Sequence, residues 1–252
     1  MKEPIDNFSE QSAGYLKFRP IYPNGLFQEV LSHVSERGLC WDCATGNGQI
    51  AAVLSEDFEE VYASDISSEQ LEHAPKLTNI KYWKCRAEET PFNDNSFDLT
   101  IVGQAVHWFD HDHFNLEVRR VSKPRALVVL IGYGLMFADE SFNSALTSFY
   151  EGTIGDYWDP KRKHIDSGYA TIPFPFKEIE LDRKFSIDVR WSLDQLQGYL
   201  GTWSSVRKFI RENDSDPVKP FIDELRSSGV WTSTEIKEVS FPLFVKIGRV
   251  IK

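Results

Sequence analysis

Features that mark secreted and membrane-spanning proteins are missing from this sequence of 252 residues. It contains 3 cysteines, too few for a disulfide-stapled fold of this length. Its longest apolar stretch, residues 126–138, includes two glycines and falls short of the roughly 20 residues that cross a bilayer. Residues 1–10 are polar and acidic, unlike a signal peptide. We therefore expect a cytoplasmic protein with no membrane partner.

Positive charge is also scarce. The chain has 28 Lys and Arg against 38 Asp and Glu, a formal net charge of −10 at pH 7. Because neutralised phosphates supply most non-specific affinity for nucleic acids, we expect no nucleic-acid partner. The hydrophobic content of 41% is ordinary for a folded domain. We expect a single domain that is a monomer or homodimer.

Two of the cysteines have the spacing of a redox dithiol, Cys40-x-x-Cys43. Both lie in or at the end of a run with the apolar character of a strand. Residues three apart in a strand point to opposite faces of a sheet. The spacing therefore favours buried free thiols.

The most informative stretch of the chain begins with the same predicted strand and extends to residue 54. Residues 39–43 predict a strand, Gly46 and Gly48 predict a turn that brings the backbone close to a ligand, and residues 49–54 predict a helix. A second predicted strand ends at Asp65, where a carboxylate can accept the ribose hydroxyls of an adenosine cofactor. The alternative role for Asp65 is to cap the helix that follows. This unit is typical of the start of a nucleotide-binding α/β domain.

The turn discriminates between two cofactors. A dinucleotide site requires glycines spaced G-x-G-x-x-G, but the sixth position here is Gln49. Asp42 would also repel a pyrophosphate. Acidic groups at Asp42 and Asp65 suit the cationic and hydroxyl groups of S-adenosylmethionine, which carries no phosphate. We predict S-adenosylmethionine, and an NAD-dependent reductase is the alternative.

Strand-like and helix-like runs alternate through the first half of the chain. Strands are predicted at 39–43, 61–64, 80–85, 97–103 and 126–132, and helices at 49–56, 68–73 and 112–121. This rhythm predicts an α/β fold, a Rossmann-like doubly wound, mostly parallel seven-stranded sheet. The rhythm breaks after Gly132, and residues 134–176 are expected to form a helical and aromatic cap insertion. Residues 177–252 would complete the sheet, with a strand at 177–189, helices at 192–211 and 217–228, and a last strand at 234–250.

Further motifs resemble a known family. They are the turn at 42–48, Asp65, residues 87–99, Tyr15-x-x-x-Arg19, 104–109, 132–134, 157–162 and 202–204. Together they resemble class I S-adenosylmethionine-dependent methyltransferases of the type 11 group. They are most like the subgroup of trans-aconitate methyltransferase-like and cantharidin-resistance-type proteins. One departure is Ala44, where the family has glycine. Alanine fits this position if its φ is negative, so we expect cofactor binding to be retained.

The resemblance implies which residues form the sites. The implied cofactor residues are Tyr15, Arg19, Asp42, Ala44, Gly46, Gly48, Asp65, Ile66, Ala87, Glu88 and Gln104. The implied catalytic residues are Gln104, below the sulfonium, and His107. The implied substrate residues are His107, Trp108, Tyr133, Trp158 and Arg162. Glu88 can alternatively be a solvated loop carboxylate, and the cap aromatics can simply be core.

Methyl transfer from a sulfonium mainly requires alignment of the reacting atoms and exclusion of water. His107 is the candidate base or hydrogen-bonding anchor, with a structural histidine as the alternative. His107, His111 and His113 lie close in sequence, but Trp108 and Phe109 interrupt them and Asp110 is a predicted helix N-cap, so we expect no metal site. Arg19 and Arg162 can each clamp a carboxylate. The family resemblance also implies that residues 1–30 form a flap over the cofactor. Together with the resemblance to this subgroup, Arg19 and Arg162 predict carboxyl O-methylation of a small-molecule acceptor that is acidic. A reductase and a catalytically silent cofactor-binding module are the alternatives.

Overall fold

The computed structural model describes residues 18–252, so Tyr15 lies outside the described residues. The strands are β1 (Leu39–Cys43), β2 (Glu60–Asp65), β3 (Ile80–Lys84), β4 (Phe97–Gly103), β5 (Ser122–Tyr133), β6 (Lys177–Glu178), β7 (Ser186–Trp191) and β8 (Lys237–Arg249). The α-helices are α1 (Asn24–Ser32), α2 (Gln49–Leu54), α3 (Ser68–Glu72), α4 (His111–Val121), α5 (Glu140–Thr147), α6 (Lys163–Asp166), α7 (Leu193–Leu200), α8 (Ser204–Asn213) and α9 (Val218–Ser227). Short 3-10 or π turns cover Val106–Trp108, Ser148–Thr153, Gly155–Tyr157 and Pro160–Arg162.

The strands form one mixed sheet in the order β3-β2-β1-β4-β5-β8-β6, with β7 paired to β8. Strands β1 to β5 are parallel, and β8 is antiparallel to β5, β6 and β7. This arrangement confirms the doubly wound, mostly parallel fold. Because the carboxyl ends of parallel strands meet at one edge, ligands of such sheets bind at that edge.

The expected number of strands is wrong, since the described residues form eight strands rather than seven. The single strand predicted at 177–189 is two strands, β6 and β7. β8 is 13 residues long, and its carboxyl end pairs with β6 while its amino half pairs with β7. Residues 179–185 cross between these two pairing positions and form no strand.

The single helix predicted at 192–211 is also wrong, because the chain breaks between α7 and α8. Ser192 caps α7 as predicted, in a capping box with Gln195. After Gly201, the Thr202 hydroxyl donates to the Tyr199 carbonyl oxygen at 2.7 Å. Trp203 is extended, with φ −70° and ψ 136°, and is buried. The break places a large aromatic side chain beside the cap.

Apolar side chains fill a layer on each face of the sheet. Cys40 is buried in one layer, whereas Trp41 and Cys43 are buried in the other, as strand alternation predicts. All 3 cysteines are free. None of the helices within residues 18–252 has the length and apolar character to cross a membrane.

Candidate active site

A cavity of about 430 Å³ opens at the carboxyl edge of the parallel strands. Its lining includes nine of the residues that the sequence implies for the cofactor: Arg19, Asp42, Ala44, Gly46, Asp65, Ile66, Ala87, Glu88 and Gln104. Gly48 does not line it. Gly48 has a φ of 78°, and an added Cβ would lie 2.9 Å from the Tyr82 hydroxyl oxygen, so packing explains the glycine there.

Asp42 is buried at the end of β1. Its Oδ2 accepts hydrogen bonds from the Thr45 hydroxyl and from the Ala51 amide at 2.9 Å. Its Oδ1 has no hydrogen-bond partner among residues 18–252. Burial raises the pKa of Asp42, whereas the two hydrogen bonds lower it. Burial is the larger effect, and the pKa is about 7. A buried carboxylate oxygen with no partner is ready to accept a donor from a ligand.

Asp65 ends β2 and pins the glycine turn. Its Oδ2 accepts from the Gly46 amide at 2.8 Å, and its Oδ1 accepts from the Ser67 amide at 2.9 Å. Ser67, rather than Asp65, caps α3, because its hydroxyl accepts from the Gln70 amide. Asp65 therefore orders both loops on its side of the cavity.

Glu88 connects the loop after β3 to the start of α4. Its Oε1 accepts from the Asp110 amide at 2.9 Å, and its Oε2 lies 3.3 Å from Arg86 Nε. The Glu88 side chain is only 8% exposed, so it is not a solvated loop carboxylate. Asp110 caps α4 as predicted by accepting from the His113 amide.

Ala44 adopts a φ of 54°, so the expectation of a negative φ is wrong. The tight turn between Cys43 and Gly46 imposes this conformation, in which Thr45 donates its amide to the Ser64 carbonyl oxygen at 2.9 Å. A left-handed φ costs an L-residue other than glycine roughly 1–2 kcal/mol. Strain of this kind is tolerated where surrounding contacts enforce it.

Gln104 also has a positive φ, 54°, at the end of β4. Its Nε2 donates to the Tyr133 carbonyl oxygen at 2.8 Å, and its Oε1 accepts from the Tyr133 amide at 2.9 Å. The side-chain amide thus acts as an extra strand residue that joins β4 to the end of β5. Both of its polar atoms are engaged by main chain, which makes Gln104 a positioning residue in this structure.

A second, smaller chamber of about 50 Å³ adjoins the large cavity. The two share Arg19, Gln104, Trp108 and Tyr133 in their walls. All five predicted substrate residues line this chamber: His107, Trp108, Tyr133, Trp158 and Arg162. It also contains Tyr199 and Trp203, which sequence reasoning did not assign to a site. The motif at 202–204 was a signal for Trp203, but no local signal pointed to Tyr199.

Arg162 is held by aromatic side chains in this chamber. Its guanidinium carbon lies 4.5 Å from the Trp158 ring centroid and 5.5 Å from that of Tyr150. Its Nε donates to the Tyr150 hydroxyl at 2.9 Å and lies 3.5 Å from Asp166 Oδ1. Both contacts use Nε, so neither terminal nitrogen has a partner among the described residues. An end-on pair with a carboxylate remains open to them.

Arg19 lines both spaces and spans their junction. Its Nη1 donates to the Tyr133 hydroxyl at 3.1 Å, and its guanidinium carbon lies 5.6 Å from the Tyr199 ring centroid. Asp159 is the acidic residue in the chamber wall, and its Oδ1 accepts from the Lys161 amide to cap a 3-10 turn.

His107 is buried between Trp108 and Tyr169, with Nδ1 3.4 Å from the Tyr169 hydroxyl oxygen. Burial, and then the positive charge of Arg162 and neighbouring cations, lowers the pKa of His107 to about 3. His107 is therefore neutral at pH 7 and too weak a base to take a proton there. It is suited to hydrogen bonding instead.

The three neighbouring histidines have separate partners. His111 Nε2 lies 3.1 Å from the Val106 carbonyl oxygen, and His113 Nδ1 lies 3.0 Å from Asp110 Oδ1. Residues 18–252 contain no group of His, Cys, Asp and Glu arranged to hold a metal ion.

Comparison with known proteins places these sites in context. A family model described as a methyltransferase domain matches residues 41–130. A Dictyostelium discoideum protein assigned as a methyltransferase is 31% identical over 250 residues, covering 97% of this chain and 95% of the relative. The S-adenosylmethionine-dependent methyltransferase CRG1 of Saccharomyces cerevisiae is 24% identical over 259 residues, covering 87% of this chain and 88% of its own. A type II methyltransferase structure from Anaeromyxobacter dehalogenans superposes with a TM-score of 0.84 at 37% identity, covering 93% of this chain and 99% of that one.

Proposed function

This chain belongs to the S-adenosylmethionine-dependent methyltransferases, and we propose that it transfers the methyl group to a carboxylate of a small acidic molecule. The family does not favour the NAD-dependent reductase. The large cavity is the proposed cofactor site, and the chamber beside it is the proposed site of the reacting end of the acceptor.

The residues of the large cavity fit S-adenosylmethionine. A volume of about 430 Å³ lies within the usual range for small-molecule sites. The unpartnered Oδ1 of Asp42 suits a cationic donor, and the Asp65 carboxylate suits the ribose hydroxyls. At Gly46 an added Cβ would meet nothing within 4 Å, so the turn leaves room for a ligand. Ile66, Ala87 and Glu88 also line the cavity, and the adenine of the cofactor would lie against them.

When bound, S-adenosylmethionine supplies an activated methyl group on a sulfonium. In the proposed reaction, the acceptor's carboxylate oxygen bonds to the methyl carbon while the carbon–sulfur bond breaks and leaves its electron pair on sulfur. A carboxylate carries no proton at neutral pH, so the reaction needs no general base. This agrees with a His107 whose pKa is about 3. The chain's task is to orient the acceptor and exclude water.

The observation that carries the acidic acceptor is Arg162 with its uncommitted terminal nitrogens in the chamber wall. Aromatic contacts with Trp158 and Tyr150 hold its plane in place. A partly buried arginine in a fixed orientation recognises a carboxylate with two parallel hydrogen bonds. An amine acceptor would meet repulsion from the same group.

The test is transfer of labelled methyl to panels of carboxylic acids, amines, thiols and phenols by the wild-type protein and Arg162→Met. We expect acids to be methylated, and Arg162→Met to lower kcat/KM for acids by roughly 100-fold, the order lost with a charge-assisted hydrogen bond. Affinity for S-adenosylhomocysteine should change less than about twofold, since Arg162 does not line the cofactor cavity.

Arg183→Met is the matched control. The guanidinium carbon of Arg183 also lies over an aromatic ring, 4.7 Å from the Phe185 ring centroid, and its Nε lies 3.4 Å from Glu29 Oε2. Unlike Arg162, Arg183 is on the surface, away from the site. It should leave kcat/KM unchanged. Preferred methylation of amines, or equal losses in the two variants, would overturn the acidic acceptor. Tight cofactor binding with no turnover on any panel would support a catalytically silent module.

A further inference from the structure

We propose that the acceptor is bipartite: its carboxylate enters the small chamber, and an apolar tail lies in a groove lined by the cap and by β8. This inference rests on the proposed function, because it takes the acidic head from it and adds the class of molecule. The predicted substrates are carboxylic acids with an extended hydrocarbon chain.

The size of the chamber requires an acceptor that extends beyond it. Its volume is about 50 Å³. On the same measure a single water needs roughly 10–15 Å³, so the chamber holds the equivalent of about three to five waters, room for a carboxyl group and a short segment of chain. A complete acceptor must continue into another space, and the cofactor cavity on one side is taken by the methyl donor.

A groove of about 820 Å³ borders the chamber on the side away from the cofactor cavity. The two spaces share wall residues Gly134, Trp158, Asp159, Arg162 and Ile165. Groove and cofactor cavity share no lining residue, so the groove provides a separate approach to the chamber.

Apolar side chains from several elements make up much of the groove wall. The apolar and aromatic side chains that line the groove but not the chamber include Leu135, Phe137, Tyr150, Pro242 and Phe244. Phe137 is 49% exposed, so its ring is accessible to a ligand in the groove. Acidic and basic groups also line the groove, among them Glu151, Lys163 and Asp166. A hydrocarbon tail bound there would cover Phe137 and the rings beside it.

The boundary between chamber and groove holds polar donors with room for a carboxylate. The terminal nitrogens of Arg162 are uncommitted. The Trp158 Nε1 is buried and has no hydrogen-bond partner among residues 18–252. A buried donor without an acceptor is destabilising, and a bound carboxylate oxygen would satisfy it. An acid with its head at this boundary leaves its tail on the groove side.

A substitution at Gly134 can test binding of the acceptor's hydrocarbon tail separately from binding of its carboxylate. Gly134 lines both spaces, and an added Cβ would meet nothing within 4 Å. Gly134→Leu should therefore fold and partly fill the passage. Gly152 is the matched control, since it lies in the same cap, has equally open space around its Cβ and does not line the groove.

The experiment titrates acetate, butanoate, hexanoate, octanoate and decanoate into protein saturated with S-adenosylhomocysteine, with calorimetric detection. Alkyl amines of matched length form a parallel series. In the wild type and in Gly152→Leu, affinity should rise by about fourfold per added methylene until the groove is filled, as burial of methylenes implies. In Gly134→Leu that dependence on length should be lost, while S-adenosylhomocysteine still binds as in the wild type.

The possible results distinguish the apolar groove from the carboxylate site. Acids that bind without any dependence on length, or equal losses in both leucine variants, would overturn the groove while leaving the acidic acceptor intact. Amines that match the acids in affinity and slope would overturn the acidic head but leave the apolar tail. Absence of binding by either series would overturn both.

Discussion

The cofactor cavity and the acceptor chamber share a wall but have opposite electrical character. In the cavity, burial raises the pKa of Asp42, and the neighbouring Asp65 adds to the increase. In the chamber, burial lowers the pKa of His107, and Arg162 with other cations adds to the decrease. Acidic surroundings at Asp42 and basic surroundings at His107 suit a cationic donor beside an anionic acceptor.

The two regions also differ in how the chain builds them. The cavity is made from the ends of consecutive parallel strands and the turns directly after them. The chamber combines residues near β5, from the cap and from α7 and α8, which are far apart in sequence. Substitutions should therefore separate cofactor binding from acceptor binding.

The largest effect on the cofactor side is expected for Asp65→Ala. It removes the proposed ribose acceptor and the two hydrogen bonds to the Gly46 and Ser67 amides. Affinity for S-adenosylhomocysteine should fall roughly 100-fold or more, since each bond to a charged group contributes about 1.5–3 kcal/mol. Calorimetric titration measures it. Asp57→Ala, which removes a surface pair with Arg37, is the control; a similar loss there would contradict a specific role for Asp65.

A smaller effect on activity is expected for Gln104→Ala, because Gln104 lies in the wall shared by the cavity and the chamber. The variant loses both hydrogen bonds to Tyr133, which hold β4 against β5 where the spaces meet. We expect kcat/KM for the acceptor to fall about tenfold, on the order of one or two net hydrogen bonds, with cofactor affinity nearly unchanged.

Gln195→Ala is the control for this substitution, because that side chain also accepts from a backbone amide, at Ser192, but on the surface. A drop in cofactor affinity with kcat/KM for the acceptor otherwise intact would instead assign Gln104 to the cofactor.

Strand patterns alone predict the acidic residues of the cavity, whereas the chamber residues were predicted only through the family resemblance, and the difference has a physical reason. Asp42 and Asp65 were found because a parallel strand brings its last residue to the sheet edge wherever its neighbours lie. Tyr199 and Trp203 depend on the break between α7 and α8 and on the pairing of β8, which local patterns do not encode. The position of Gly48 against Tyr82 was missed in the same way, because that contact joins the turn to a side chain of β3, more than 30 residues further along the chain.

A moderate effect is expected from pH on the cofactor side. Because the pKa of Asp42 is raised from 3.8 to about 7 in the ligand-free fold, its stability contribution falls as pH rises between about 4 and 7. A cationic ligand favours the ionised form, so binding should release a proton below about pH 7. Affinity should then fall by up to about tenfold per pH unit as pH is lowered through that range.

Calorimetry in two buffers of different protonation enthalpy measures the proton release, and Asp42→Asn should abolish it. Release that persists in Asp42→Asn would mean that another group is responsible. The acceptor side should behave differently. Because the pKa of His107 is about 3, this residue should contribute no inflection to the pH profile of acceptor binding between about pH 5 and 8.

The smallest effect is expected for Ala44→Gly, in the turn of the cofactor cavity. Ala44 has a φ of 54°, which glycine adopts without the steric cost that an L side chain meets. Part of the gain is offset by the greater entropy of glycine in the unfolded chain, so we expect a stabilisation of about 0.5–1 kcal/mol. This corresponds to a rise in Tm of roughly 1–4 °C for a protein of this size. Ala52→Gly, in the middle of α2, should shift Tm in the opposite direction by a similar amount. If both variants lower Tm, the left-handed conformation at Ala44 is not a source of strain, and alanine suits the turn as well as glycine.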